Sequence, residues 1–296
     1  MTDRLVFAGP ASKEFAKLLA QRLSLPMLSA EVKEFLDTET KYRFEENVSG
    51  SSVLLVQSTY PPVDKNYLQI FLAAHYLSQE GAKVHAVIPY LGYARQDKAF
   101  LSGEVVSLGV ISHLLRSCGV MRVTTVDIHS AEGLALFAMP TYSVSAIPSL
   151  AHYVKRTLKL TSPLVVSPDF GSSKRTEAFA ALYGAEHMRF AKERNRSTGE
   201  VKVETGRMEV EGREVIIVDD MISTGATIRA AAMKLKEAHA AKIIVACVHP
   251  LLLGDAHERL IESGVDEIIG TNTVPSKVSK VDATEPLAAY LKTVSE

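Results

Sequence analysis

Residues 215–227 read VIIVDDMISTGAT: four apolar residues, two acids, then a short run of hydroxyls, small residues and a glycine. A strand, a tight small-residue loop and a following helix gather several backbone N–H groups at a helix N-terminus, which makes an anion site. Ser223, Thr224 and Thr227 add hydroxyl donors, Ala226 is small, and Gly225 lets the backbone approach a phosphate closely. Asp219 and Asp220 are no phosphate ligands, because like charges repel; they suit sugar hydroxyls or a metal. Phosphate on one side and a diol on the other describe a sugar phosphate. A capping hydroxyl beside a solvated acid pair is the plain alternative, and it explains the two acids better than it explains the whole string.

Three further apolar runs end in polar clusters: PYLGYARQD (89–97), VDIH (126–129) and VVSPDFGSSKR (165–175). Ligands of open α/β sheets bind outside the carboxyl ends of the strands. Four such clusters therefore predict one site, in a cleft between two domains. Lys174 and Arg175 would open a helix, where positive charge is locally unfavourable unless an anion sits there.

The elements that must position these clusters are legible as well. Continuous Val/Ile/Leu runs predict strands at 5–9, 53–59, 84–90, 123–129, 164–169, 215–220, 243–250 and 267–270. Helical spacing predicts helices at 11–23, 64–80, 104–118, 146–159, 173–183, 224–239 and 255–263. This alternation reads as α/β with mainly parallel sheets flanked by helices. The Pro-, Ser- and Thr-rich segment 139–149 is the expected boundary, giving domains 1–145 and 146–296. The polar segment 191–213 is expected to be a mobile loop leading into a hairpin.

Composition sets further bounds. Lys+Arg is 33 and Asp+Glu 34, so a net charge of −1 argues against a large basic surface for nucleic acid. At 47% hydrophobic the chain has ample core, yet no apolar run is long enough for a membrane span. Neither a nucleic acid nor a membrane partner is expected. Cys118 and Cys247 form no CxxC pair and read as reduced core thiols; with no signal peptide, the expected localisation is cytoplasmic.

DDMISTGAT closely resembles the ribose-phosphate loop shared by type I phosphoribosyltransferases and ribose-phosphate pyrophosphokinases (PRPP synthases). The other clusters resemble the second family alone. PYLGYARQD is similar to its ATP-binding segment PYxxYARQD, SPDFGSSKR to its pyrophosphate loop SPDxGGxKR, and VDIH to its VDLH. FLDTE (35–39) resembles its adenine-nucleotide segment FPDGE. The matches run in the family's order from about residue 7 to 275.

The resemblance implies two phosphoribosyltransferase-like domains and a complete reaction. The diphosphoryl group of ATP passes to the anomeric hydroxyl of ribose 5-phosphate, giving AMP and PRPP for nucleotide biosynthesis. It implies ATP binding by Phe35, Asp37, Thr38, Glu39, Arg95, Gln96 and Asp97 in the first domain. The second domain would hold the pyrophosphate loop Asp169, Gly171, Ser172 and Ser173. It would also hold ribose 5-phosphate through Arg194, Asp219, Asp220, Ser223, Thr224, Gly225, Ala226 and Thr227. Lys192 and Arg194 would act on a flexible catalytic loop, His129 and Asp169 would bind the Mg²⁺ cofactor, and the chain would form a homo-oligomer, a dimer at least. Catalysis of this transfer is mainly positioning and charge stabilisation.

The match also departs from the family. Its glycine pair appears here as Gly171 and Ser172, with Ser173 following, and FLDTE lacks its Pro and Gly. KAFLSGEVVSLG (98–109) stands where many members carry a basic stretch. This last feature is nearer the shorter archaeal-type members and speaks against control by phosphate or ADP. A phosphoribosyltransferase would have no reason for YARQD or the Lys192/Arg194 pair. A non-catalytic partner would tend to lose the residues present here. A P-loop kinase would need GxxxxGK[ST], which is absent.

Overall fold

The structure is a computed structural model that describes residues 4–169, 171–189, 191–194, 201–204 and 210–294, with the backbone alone for 189, 191–194 and 201–204. The chain divides into two compact units, Met1–Ser145 with Ala283–Glu296, and Ala146–Asp282.

The first unit contains β1 (Arg4–Ala8), α1 (Lys13–Leu23), β2 (Met27–Leu28), β3 (Ala30–Glu34), β4 (Thr40–Phe44), β5 (Ser52–Val56), α2 (Val63–Gln79), β6 (Lys83–Ile88), α3 (Ser107–Ser117), β7 (Val120–Val126) and β8 (Thr141–Val144). Its six-stranded sheet runs β2-β1-β5-β6-β7-β8, parallel throughout. All five residues of β5 are buried, as expected for a parallel strand covered on both faces. β3 and β4 form a separate antiparallel hairpin whose Phe44 ring lies 4.9 Å from Phe7 and 5.0 Å from Tyr76.

The second unit contains α4 (Ile147–Leu158), β9 (Leu164–Ser167), α5 (Ser173–Tyr183), β10 (Glu186–Arg189), β11 (Ala191–Arg194), β12 (Val201–Glu204), β13 (Glu214–Ile222), α6 (Ala226–Glu237), β14 (Lys242–Pro250), α7 (Ala256–Glu262), β15 (Glu267–Thr271) and β16 (Ser279–Val281). Its parallel sheet runs β10-β9-β13-β14-β15-β16, and β11 and β12 form an antiparallel hairpin. α4 buries Ile147, Leu150, Ala151 and Val154, the single stripe of a helix laid on a sheet. Its start carries a proline, where the missing N–H costs nothing.

All eight continuous apolar runs are strands, and all seven helices expected from spacing form. The units divide between Ser145 and Ala146, inside the segment 139–149, which also carries β8, paired with β7. Two features differ from the sequence reading. The final residues, placed by sequence in the second domain, pack with the first unit as α8 (Thr284–Thr293). Arg22 Nε donates to Thr284 Oγ1 (3.0 Å), Arg4 Nη2 donates to the Leu291 carbonyl (3.3 Å), and the Tyr142 and Tyr290 rings sit 5.5 Å apart. Finally, β13 does not stop at its two aspartates; it stays paired with β14 as far as Ile222 and Pro250.

Candidate functional site

In the second unit the chain leaves β9 for β10 on one side and later returns to β13 on the other. The crevice at the carboxyl ends of β9 and β13 is thus where the strand order reverses, the usual ligand position in such sheets. Asp169 follows β9, and Asp219 and Asp220 lie on β13. Asp219 and Asp220 are 8% and 3% exposed, so water does little to screen them. Ser172, 2% exposed, joins the two strand ends. Its hydroxyl donates to Asp219 Oδ1 at 2.5 Å, and its N–H donates to Asp169 Oδ1 at 3.2 Å. The Asp220 N–H also donates to Asp219 Oδ1 (2.9 Å), and the Ser167 hydroxyl donates to the Asp169 carbonyl.

Burial holds the Asp219 carboxyl well above the usual carboxylate range, and the neighbouring Asp220 pushes the same way. Asp169 adds a smaller push, while the bond from Ser172 favours the charged form. Acids so placed, which form no metal cage among the described residues, suit hydroxyl donors.

Beyond β13 the chain turns through Ser223 and Thr224 into α6. Gly225 sits at φ +74° and caps that helix without a side chain. A Cβ on Gly225 would stand 3.2 Å from Leu260, so both the backbone angle and the space call for glycine. Thr224, Ala226 and Thr227 are exposed and Ser223 is half-buried, which leaves the loop open to a ligand. A brace that the sequence reading missed holds this loop: the Leu252 and Leu253 N–H groups donate to the Ile222 and Ser223 carbonyls (2.9 and 3.0 Å). Leu252 reaches that position at φ +47°.

In the first unit, PYLGYARQD leaves β6 and is pinned at its start. The Tyr90 N–H donates to Ser58 Oγ (3.0 Å), the Gly92 N–H to Thr59 Oγ1 (2.7 Å), and the Tyr67 hydroxyl to the Gly92 carbonyl (2.8 Å). A Cβ on Gly92 would meet Val63 at 2.8 Å. Arg95 and Gln96 are exposed beyond this anchor, and Asp97 is half-buried with its Cβ near Gly133. His129 is half-buried two residues past Asp127, which sits at φ +35°. The Ser145 hydroxyl donates to Asp127 Oδ1 (2.9 Å) and the Ile128 N–H to Ser143 Oγ (2.9 Å). Phe35, Asp37, Thr38 and Glu39 form the exposed tip of the β3–β4 hairpin. That tip is closed by Phe35 N–H to the Glu39 carbonyl (2.9 Å) and Glu39 N–H to Asp37 Oδ1 (3.2 Å). Thr38, Tyr93 and Asp127 all have positive φ, and each lies in or beside a segment that the sequence singled out. Strained backbone of this kind gathers at ligand clamps.

The structure thus brings Asp169, Ser172, Asp219 and Asp220 together, and sets Ser223–Thr227 at the adjoining helix start. Lys192 and Arg194 lie on β11, with their side chains outside the described residues. Part of the 191–213 segment, expected to be a mobile loop leading into a hairpin, is the β11–β12 hairpin; 195–200 and 205–209 lie outside the described residues.

Two parallel sheets, one with acids and an open helix start at its reversal point, define a phosphoribosyltransferase-like α/β protein. Residues 4–119 match the family described as the N-terminal domain of ribose phosphate pyrophosphokinase. Residues 201–294 match the phosphoribosyl synthetase-associated domain. A ribose-phosphate pyrophosphokinase of Sulfurisphaera tokodaii is 36% identical, over 96% of this chain and 99% of the relative. One from Marinomonas sp. is 37% identical, over 93% of this chain and 88% of the relative. The crystal structure of phosphoribosylpyrophosphate synthetase from Mycobacterium smegmatis, 29% identical, matches 98% of each chain with a TM-score of 0.88. The chain belongs to the ribose-phosphate pyrophosphokinase family.

Proposed function

We propose that this enzyme transfers the diphosphoryl group of Mg-ATP to the anomeric hydroxyl of ribose 5-phosphate, giving PRPP and AMP for nucleotide biosynthesis. The observation that carries the reading is the Asp169–Ser172–Asp219–Asp220 cluster beside the open start of α6, in a chain that aligns with its relatives almost end to end. In this reading Asp219 and Asp220 take the ribose hydroxyls, and Ser223, Thr224, Gly225, Ala226 and Thr227 cradle the 5-phosphate with backbone N–H groups and hydroxyls. Asp169, Gly171, Ser172 and Ser173 form the pyrophosphate loop.

Phe35, Asp37, Thr38, Glu39, Arg95, Gln96 and Asp97 hold ATP. Arg95 can pair with a phosphate or stack on the base. Lys192 and Arg194 stabilise the charge that spreads over the transferred group, and Arg194 also serves ribose 5-phosphate. Alternate residues of a strand share a face, so both cations can meet one phosphoryl group.

The donor set fits Mg²⁺. Among the described residues no three His, Cys, Asp or Glu side chains form a cage. Mg²⁺ keeps several waters and takes one or two protein groups with the substrate phosphates, and His129 in the first unit and Asp169 in the second are each a ligand of that kind. When bound, the ion neutralises phosphate charge. The enzyme is proposed to be cytoplasmic and at least dimeric, with no nucleic-acid or membrane partner; among the described residues no helix is long and apolar enough to cross a membrane.

The test is one incubation with ATP, ribose 5-phosphate and Mg²⁺ followed by phosphorus NMR. AMP and PRPP should appear in equal amounts, and only when sugar is present. ADP in place of AMP would mean γ-phosphoryl transfer and would overturn the reading.

A further inference from the structure

Ser172 stands where the resembled loop pattern has glycine, and its hydroxyl donates to a side chain of another strand. It points across the crevice from the loop after β9 to Asp219 on β13. A hydroxyl has one proton to give. At 2.5 Å from Asp219 Oδ1 and 3.4 Å from Asp169 Oδ1, that proton goes to Asp219. The Asp220 N–H meets the same oxygen at 2.9 Å. Two donors on one oxygen fix the rotation of the Asp219 carboxyl. Ser172 is itself held, because its N–H is bound to Asp169 and it is 2% exposed at the start of α5.

We propose that Ser172 is a positioning residue for the sugar: from within the pyrophosphate loop, its hydroxyl orients Asp219 to receive the ribose hydroxyls. This rests on the assignment of Asp219 to ribose above, and deepens it. A glycine or alanine at 172 removes one of the two donors on Asp219 Oδ1 and loosens the carboxyl. The sugar must then supply the orientation, and its affinity drops. ATP does not use Asp219 in this account, so its affinity falls less than that of the sugar. The backbone at Ser172 (φ −88°, ψ −1°) is ordinary for alanine and glycine alike, so neither change requires the loop to rebuild.

The experiment is steady-state kinetics on Ser172→Ala and Ser172→Gly, with calorimetric titration of ribose 5-phosphate in the absence of ATP and metal. Loss of one buried hydrogen bond corresponds to about a tenfold change. The expected result is a rise of that size in both KM and Kd for ribose 5-phosphate in both variants, clearly larger than any rise in KM for ATP. The calorimetry isolates the sugar from any role of the loop toward metal. Unchanged sugar affinity would overturn the proposal, as would equal losses for sugar and ATP, which indicate a merely structural role for the loop. Normal binding by the glycine variant beside impaired binding by the alanine variant would also overturn it, since both lack the hydroxyl. If the unsubstituted enzyme neither binds ribose 5-phosphate nor makes PRPP, the proposed function fails first, and that outcome is distinct from each of these.

Discussion

The two units are built to one plan and use it differently. Numbered along each unit, both sheets run 2-1-3-4-5-6, and both carry an antiparallel hairpin between the second and third sheet strands. In the first unit that hairpin presents residues 35–39; in the second it carries Lys192 and Arg194. The crevices at the reversal points differ in kind. Between β1 and β5 the protein fills its own crevice. Gln57, 1% exposed, accepts from the Ala11 N–H (3.0 Å) and donates to Asn66 (3.3 Å) and Gln69 (2.9 Å). Ser12 Oγ accepts from the Ser58 N–H (2.7 Å), and a Cβ on Gly9 would collide with Gln57 at 2.2 Å. Between β9 and β13 the same place holds three acids and opens onto an uncapped helix start. One crevice satisfies its polar groups internally and is structural. The other gathers acids beside an open helix start, the arrangement in which we propose that the sugar binds.

The contrast can be broken or sharpened in order of expected effect. Replacing Lys192 with Ala, on the second unit's hairpin, should lower kcat by about 10²–10³ with either KM little changed, the scale of a lost transition-state contact. An unchanged rate would remove that hairpin from catalysis. Replacing Gln57 with Ala in the first unit should cost about 2–3 kcal/mol in urea unfolding, because it strands buried partners. Its kcat/KM should stay within about twofold; lost activity at unchanged stability would mean that the filled crevice is a site after all.

His85, on β6 of the first unit, gives a pH signature. Burial first, then Arg122 and Arg4, lower its pKa to about 3 from the ordinary 6.5. Between those values the unfolded chain binds a proton that the folded one refuses, so stability falls as pH drops through this window. Replacing His85 with Gln, which keeps a hydrogen-bonding group near Thr124, should flatten that acid limb by about 2 kcal/mol between pH 6.5 and 5. An unaltered limb would show that His85 is protonated in the fold. The smallest effect is expected from Gly225→Ala. The φ of +74° and the nearby Leu260 should cost about 1–2 kcal/mol of stability, with a several-fold weaker grip on ribose 5-phosphate.

Much of this plan was legible in the sequence, because central parallel strands write themselves as unbroken Val/Ile/Leu runs. The elements that escaped lack that mark. β2, β8, β10 and β16 are short edge strands, and β8 hides in a Pro- and Ser-rich segment because an edge needs no continuous apolar run. α8 escaped with the C-terminal segment, whose membership in the first unit depends on contacts to Arg4 and Arg22 far away in sequence. The site divides in the same way. Asp219, Asp220 and Ser223–Thr227 lie in one contiguous string and could be read directly. The Ser172–Asp219 bond spans 47 positions, and the Leu252 brace and the positive φ at Asp127 arise only in the folded backbone.

The central claim is that the acid-lined crevice of the second unit holds the sugar. Its most direct test is calorimetric titration of the Asp219→Ala variant with ribose 5-phosphate and, separately, with Mg-ATP. The account predicts a ribose 5-phosphate affinity lowered by about 30-fold or more, as for lost hydrogen bonds to a charged group, with Mg-ATP affinity within about threefold of the unsubstituted enzyme. Equal losses for both ligands, or an unchanged sugar affinity, would contradict it.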